Sequence, residues 1–256
     1  HDNVGKTFVI MFLLMQLAKL HGWKWFVVSV ENSAGSLTRM LVEFYHKKAI
    51  KHLNQSQIMD AMIFIEKHFD IVDNQNSYNY LDVLAMGEKL WNAKKIDGIF
   101  IDPYNALELD EGLLKTYGDH NYHYRVTSAF RNFTKKHDCC IYLNCHAVTE
   151  ALRRTWGKDN APDSEVIGHP MPPKKSDIEG GGKFANRADD FLIIHRYTQH
   201  KSLYRVTEIH VVKTKETETG GKNTPLSEPI KLTLADGNCN FLPYGFHEIY
   251  EDEPSA

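Results

Sequence analysis

His1-Asp2-Asn3-Val4-Gly5-Lys6-Thr7, running into Phe8–Leu20, is the stretch on which the fold turns. Gly5-Lys6-Thr7 reads as the second half of a phosphate-binding loop, G-x-x-x-x-G-K-[ST]. The first glycine of that pattern would fall one position before residue 1, so the sequence is read as a fragment that starts inside the loop. Each part has a chemical reason. Asn3, Val4 and Gly5 form a compact turn whose backbone N–H groups face phosphate, Lys6 reaches the β/γ oxygens, and the Thr7 hydroxyl takes Mg²⁺. Ile10, Leu13, Leu14, Leu17 and Leu20 then recur at helical spacing. An ordinary helix start could also read Gly-Lys-Thr, so the rest of the chain has to decide.

Composition narrows the classes. The chain has 256 residues, 42% hydrophobic and 25% charged, which suits one α/β domain with a sizeable core over residues 1–247. Glu248–Ala256 reads as an acidic, disordered tail. The net charge of −3 excludes a globally basic nucleic-acid binder, so any such contact must come from local loops. Cys139, Cys140, Cys145 and Cys239 show no paired spacing, which points to reduced thiols. The expected location is a reducing compartment, the cytoplasm of a bacterial or phage-infected cell or an organelle. No apolar run has the length of a membrane span, and no membrane partner is expected.

Strand and helix patterns alternate, which predicts a mostly parallel central sheet flanked by helices. Strands are predicted over Lys24–Val30, Asp97–Asp102, Cys139–Asn144, Phe191–His195, Tyr204–Lys213 and Ile230–Leu234. Helices are predicted over Leu37–Ala49, Ser56–His68, Tyr80–Ala93 and His120–Lys136. Arg154–Arg187 carries glycines, prolines and charges with little periodicity. A loop of that length within a compact domain is functional or mobile.

Several strand ends carry chemistry. Ile99-Phe100-Ile101-Asp102 ends a buried strand in an acid that can hold the Mg²⁺ shell, although Asp102-Pro103 is also a common turn pair. Glu31 follows Val28-Ser29-Val30 and can orient and deprotonate a water; a solvated residue ahead of a helix capped by Asn32 or Ser33 is the alternative. His146 ends Cys140–Cys145, where a side chain can contact a γ-phosphate or simply satisfy a local hydrogen bond. Neither zinc-ligand spacing nor a G-x-S-x-G elbow is present.

With these residues in order, the chain resembles the ATPase domain of the DnaB-like and Twinkle-like hexameric replicative helicases, including phage primase-helicases. The matching stretches are Asn3–Thr7, Ser29–Ser33, Ile101-Asp102, Leu143–His146, Ser176–Gly182 leading to Ala188–Asp190, and Val211–Lys215. The resemblance implies a RecA-like P-loop NTPase fold, with ATP and Mg²⁺ as cofactors. It makes Lys6 and Thr7 the triphosphate and Mg²⁺ residues, Glu31 the catalytic glutamate, and Asp102 the second Mg²⁺ residue. It gives His146 a role in coupling nucleotide state to DNA, and packs Arg196 against the base. Lys213 and Lys215 fall where a basic pair reaches the neighbouring subunit's γ-phosphate. The family usually carries arginine where this chain has Lys215, a point charge in place of a planar fork.

The implied activity is ATP-driven translocation on single-stranded DNA by a homo-oligomeric, hexameric ring, with a primase domain or protein as a further partner. Arg153, Arg154, Lys174, Lys175 and Lys183 lie in or beside the 154–187 segment and are the candidate DNA contacts, with Gly180–Gly182 allowing close backbone approach. Two other readings share the core: a RecA/RadA-type recombinase or plasmid or phage replication ATPase, and a non-hydrolysing regulatory nucleotide-binding module.

Overall fold

Gly5 adopts φ 84° and ψ 28°, a left-handed conformation that costs a residue without a Cβ little, and it caps helix α1, Lys6–His21. The computed structural model describes residues 4–72, 75–179 and 185–245, and all their side chains but those at 119, 120, 152, 219 and 220. Asn3, Gly180–Gly182, Lys183 and the 248–256 stretch lie outside the described residues. α1 ends at Gly22, again left-handed, after burying Val9, Met11, Leu14, Met15 and Ala18. Its apolar residues spread around the helix because it is covered on more than one side. Phe8 and Phe12 meet Phe44 edge-on across one contact and Phe241 across another.

Four strands form a wholly parallel sheet: β1 Trp25–Ser29, β2 Phe69–Val72, β3 Gly98–Asp102 and β4 Cys140–Leu143, in the order β2-β1-β3-β4. Alternation along β1 and β3 divides the core into two layers. Trp25, Val27 and Phe100 pack under α1, α2 (Ala34–His46) and α3 (Gln55–His68). Phe26, Val28, Ile99 and Ile101 pack under α4 (Tyr80–Lys94) and α5 (Glu111–His137). Ser33, Asn54, Asn79 and Asp110 cap α2 to α5 by accepting backbone N–H bonds.

The parallel sheet and its helical layers bear out the expected fold class. The later strands behave differently, forming an antiparallel sheet of β5 Phe191–Arg196, β6 Val206–Lys213, β7 Ile230–Leu234 and β8 Phe241–Pro243. Their connections lack crossover helices, so the chain returns alongside itself. α1 joins the two sheets through Val9, which packs with Ile209 and Phe241. The edges of β4 and β5 flank a slot of about 450 Å³, also lined by Lys6 and Ile10 from α1 and Phe130 from α5.

Several boundaries depart from the sequence reading. β2 follows α3 without a turn, so its residues carry no break signal and are specified by pairing with β1. α5 begins at Glu111, ahead of the expected His120, because Gly118 (φ 69°, ψ 164°) interrupts the helical path and hides the first turns. The expectation of a mobile loop also gives way over 154–171. Trp156, Val166 and Tyr197 form a small core there, and Trp156 Nε1 donates to the Tyr197 hydroxyl at 3.0 Å. Among the described residues, no helix is long and apolar enough to cross a membrane.

Candidate active site

The carboxyl ends of β1, β3 and β4 and the amino end of α1 meet at one place. Parallel strands in register put Ser29 opposite Asp102, which brings the residues after both strands level with the Gly5 turn. The first N–H groups of a helix have no carbonyl within the helix to bond and can meet an anion. Lys6 stands in the same turn.

Asp102 is the fixed point of the site, 1% exposed. Its Oδ2 accepts the Thr7 hydroxyl at 2.8 Å and the Asn32 amide at 3.4 Å, and its Oδ1 accepts the Asn144 amide. Burial pushes this carboxyl above its ordinary value; the Asn144 and Thr7 donors, then the charges of Lys6 and His146, pull it back. Thr7 Oγ1 and Asp102 Oδ2 are hard oxygen donors side by side. That set suits Mg²⁺, which takes a few protein oxygens and leaves its other positions to phosphate and water.

Glu31 and His146 stand on the solvent side of this pair. His146 Nε2 lies 3.5 Å from Glu31 Oε1, with the glutamate side chain 53% exposed and the histidine 33%. The His146 backbone is fixed: its N–H donates to Asn105 Oδ1 at 2.9 Å, and its carbonyl accepts Glu179 N–H at 3.1 Å. Arg196, at the end of β5, reaches the loop, since a Cβ on Gly5 would sit 3.7 Å from its guanidinium. Thus Val4, Gly5, Lys6, Thr7, Glu31, Asp102, His146 and Arg196, gathered from distant parts of the chain, share one neighbourhood.

The other sequence candidates lie elsewhere or are engaged. Lys213 Nζ donates to the Asn186 carbonyl at 3.1 Å and to that of Ala188. Lys215 Nζ pairs with Asp189 at 3.0 Å, a carboxylate shared with Arg131. Arg153 pairs with Glu150, and Arg154 with Asp177. Asp177 also accepts the Lys174 N–H, while Lys175 Nζ is 3.4 Å from Asn186 Oδ1. In this chain, therefore, the Arg154 charge holds the 154–177 segment together. The sequence reading missed Asn32, Asn105 and Asn144. Asn32 and Asn144 were visible only as neighbours of Glu31 and His146, and nothing in their local pattern marks an amide that donates to a carboxylate.

No protein-family model matches the chain. In sequence it is 25% identical over 205 residues to the Twinkle homolog protein, chloroplastic/mitochondrial, of Arabidopsis thaliana. That match covers 76% of this chain and 26% of the Arabidopsis protein, so the chain spans about a quarter of its relative's length. In structure it is similar to the isolated ATPase domain of a DnaB-like helicase, with a TM-score of 0.70 at 14% identity, covering 95% of this chain and 82% of that one. It is also similar to a DnaB-like replicative helicase solved for its interactions with primase, with a TM-score of 0.70 at 13% identity, covering 94% and 55%. The chain has the RecA-like fold of the DnaB-like helicase ATPase domains and resembles a Twinkle homologue in sequence, as its ordered motifs imply.

Proposed function

We propose that the chain is the motor part of a ring-type replicative DNA helicase, hydrolysing ATP to move along single-stranded DNA. The observation that supports it most is the convergence of Thr7 and Asp102 with the Glu31–His146 pair beside the amino end of α1. In this reading the N–H groups at the start of α1 and the Lys6 ammonium hold the triphosphate. Bound Mg²⁺ would neutralise charge developing on the β- and γ-phosphates. Thr7 and Asp102 would be its protein oxygens, and Asn144 and Asn32 keep the Asp102 carboxylate turned toward Thr7.

Glu31 faces solvent and can take a proton from an attacking water, the general-base role. His146, hydrogen-bonded through its backbone to Asn105, is placed to feel whether a γ-phosphate lies beside Glu31. Arg196 borders the loop where a nucleotide base would extend. Lys215, half-exposed and paired with Asp189, could exchange that carboxylate for a neighbouring subunit's phosphate. Lys213 anchors the 186–188 backbone beneath it. A homo-oligomeric ring, single-stranded DNA, a primase partner and a reducing bacterial, phage-infected or organellar compartment complete the proposal.

The test is ATP turnover by the full-length protein with and without single-stranded DNA. Turnover that requires Mg²⁺ and rises with single strands is the expected result. An assembled protein that binds ATP without hydrolysing it would identify a regulatory module.

A further inference from the structure

We infer that the outer face of α5 is a single-strand nucleic-acid surface, with bases stacking against Tyr117 and Tyr124 and phosphates meeting Arg125 and Arg187. The inference rests on the helicase reading for the identity of its ligand, and it moves the strand's path away from the 154–177 cations.

Tyr117, Asn121, Tyr124, Arg125 and Asn132 line an open groove of about 650 Å³ along α5. Tyr117 and Tyr124 are 37% and 48% exposed, although each ring already carries a cation. The Arg125 guanidinium lies 3.6 Å from the Tyr117 ring centroid, and that of Arg187 lies 3.8 Å from the Tyr124 ring. Arg187 also donates to the Ser128 hydroxyl at 3.1 Å, which fixes it over the helix. Two ring–guanidinium pairs therefore border one groove, with Tyr117 before the break at Gly118 and Tyr124 after it.

The chemistry of the groove selects its ligand. Its lining holds tyrosines, amides, a hydroxyl and an arginine, and no carboxylate, on a chain whose net charge is −3. Flat π faces beside cations suit a chain of alternating bases and phosphates. Any base can stack there, so binding would not depend on sequence. A peptide partner would instead be expected to need a continuous apolar floor, which this groove lacks.

The face is also wired to the nucleotide site. The His146 N–H bonds to Asn105, and the Asn144 carbonyl accepts the N–H of Tyr104 at 2.8 Å. The Tyr104 hydroxyl lies 2.8 Å from His123 Nδ1, one residue before Tyr124. A shift of the strand end carrying Asn144 and His146 is thereby passed to the middle of α5.

The experiment measures binding of a fluorescent oligothymidylate to the full-length protein over a salt series, without ATP, and ATPase stimulation separately. The double variant Tyr117→Ala/Tyr124→Ala should lose at least about tenfold in affinity, whereas Tyr117→Phe/Tyr124→Phe, which keeps both rings, should bind within about twofold of the parent. Arg125→Ala should reduce the slope of log affinity against log salt by about one. Circular dichroism melting of each variant checks that the helix persists. Parental affinity in the alanine pair, or no oligothymidylate binding by the parent, overturns the assignment. Loss of ring assembly in sedimentation with unchanged DNA affinity overturns it too, and gives the face to a neighbouring subunit. Tyrosine-dependent binding without ATPase stimulation leaves this surface standing and overturns the motor reading.

Discussion

Glu31 and His146 face each other across 3.5 Å at the ends of two strands that are not hydrogen-bonded neighbours, with β3 between them. The pair exists only because β1 and β4 flank the strand that ends in Asp102. Replacing the carboxylate by an amide of the same shape separates binding from chemistry. Glu31→Gln should bind ATP as the parent does and turn it over roughly 10²–10⁴-fold more slowly. Phosphate release at saturating ATP reads this out; parental turnover would remove Glu31 from the base role.

Lys6→Ala tests the other half of the site. Losing the ammonium should abolish turnover and weaken ATP more than AMP, because the charge serves the outer phosphates. Titration calorimetry with both nucleotides distinguishes this from a general loss of affinity. Equal weakening of the two would place Lys6 away from the β/γ oxygens.

Gly98 opens β3, and its smallness is a packing requirement. A Cβ there would stand 2.3 Å from the Trp25 ring and 2.7 Å from Cys140 Sγ. Gly98→Ala should lower unfolding stability by about 1–3 kcal/mol, the cost of an overpacked core. Urea denaturation followed by tryptophan fluorescence measures it. No change in midpoint would mean that the Trp25 layer yields freely.

His195, 1% exposed under the 154–171 segment, makes stability depend on pH. Burial lowers its pKa to about 3, with the nearby His210 adding to the effect. Unfolding raises it toward 6.5, so the unfolded chain binds the proton more readily. Stability is therefore full above 6.5 and falls as pH drops below it, by about 2 kcal/mol at pH 5 from this residue. Denaturant midpoints at pH 7.5 and pH 5 should show the loss in the parent and a smaller one in His195→Asn. An equal loss in both would assign the effect to other groups.

The local pattern alone determined which segments become helix and strand and which residues carry chemistry. Helical spacing after Gly5, apolar runs ending in Asp102 and His146, and a cap at Ser33 are all short-range signals, and the structure keeps those elements with shifted ends. Where the signal is interrupted, as at Gly118, or absent, as at the α3–β2 junction, the sequence reading slipped.

Tertiary structure decided what the sequence does not encode locally: which strand lies beside which, and where a charge is spent. Strand order placed β3 between β1 and β4 and so made one site of Thr7, Asp102, Glu31 and His146. It also turned Arg154 toward Asp177 and Lys213 toward the backbone of 186–188, uses that no spacing rule could show. Periodicity reports only which face of an element is buried. The partner of a polar side chain depends on contacts between residues far apart in the chain, and only the packed fold brings those together.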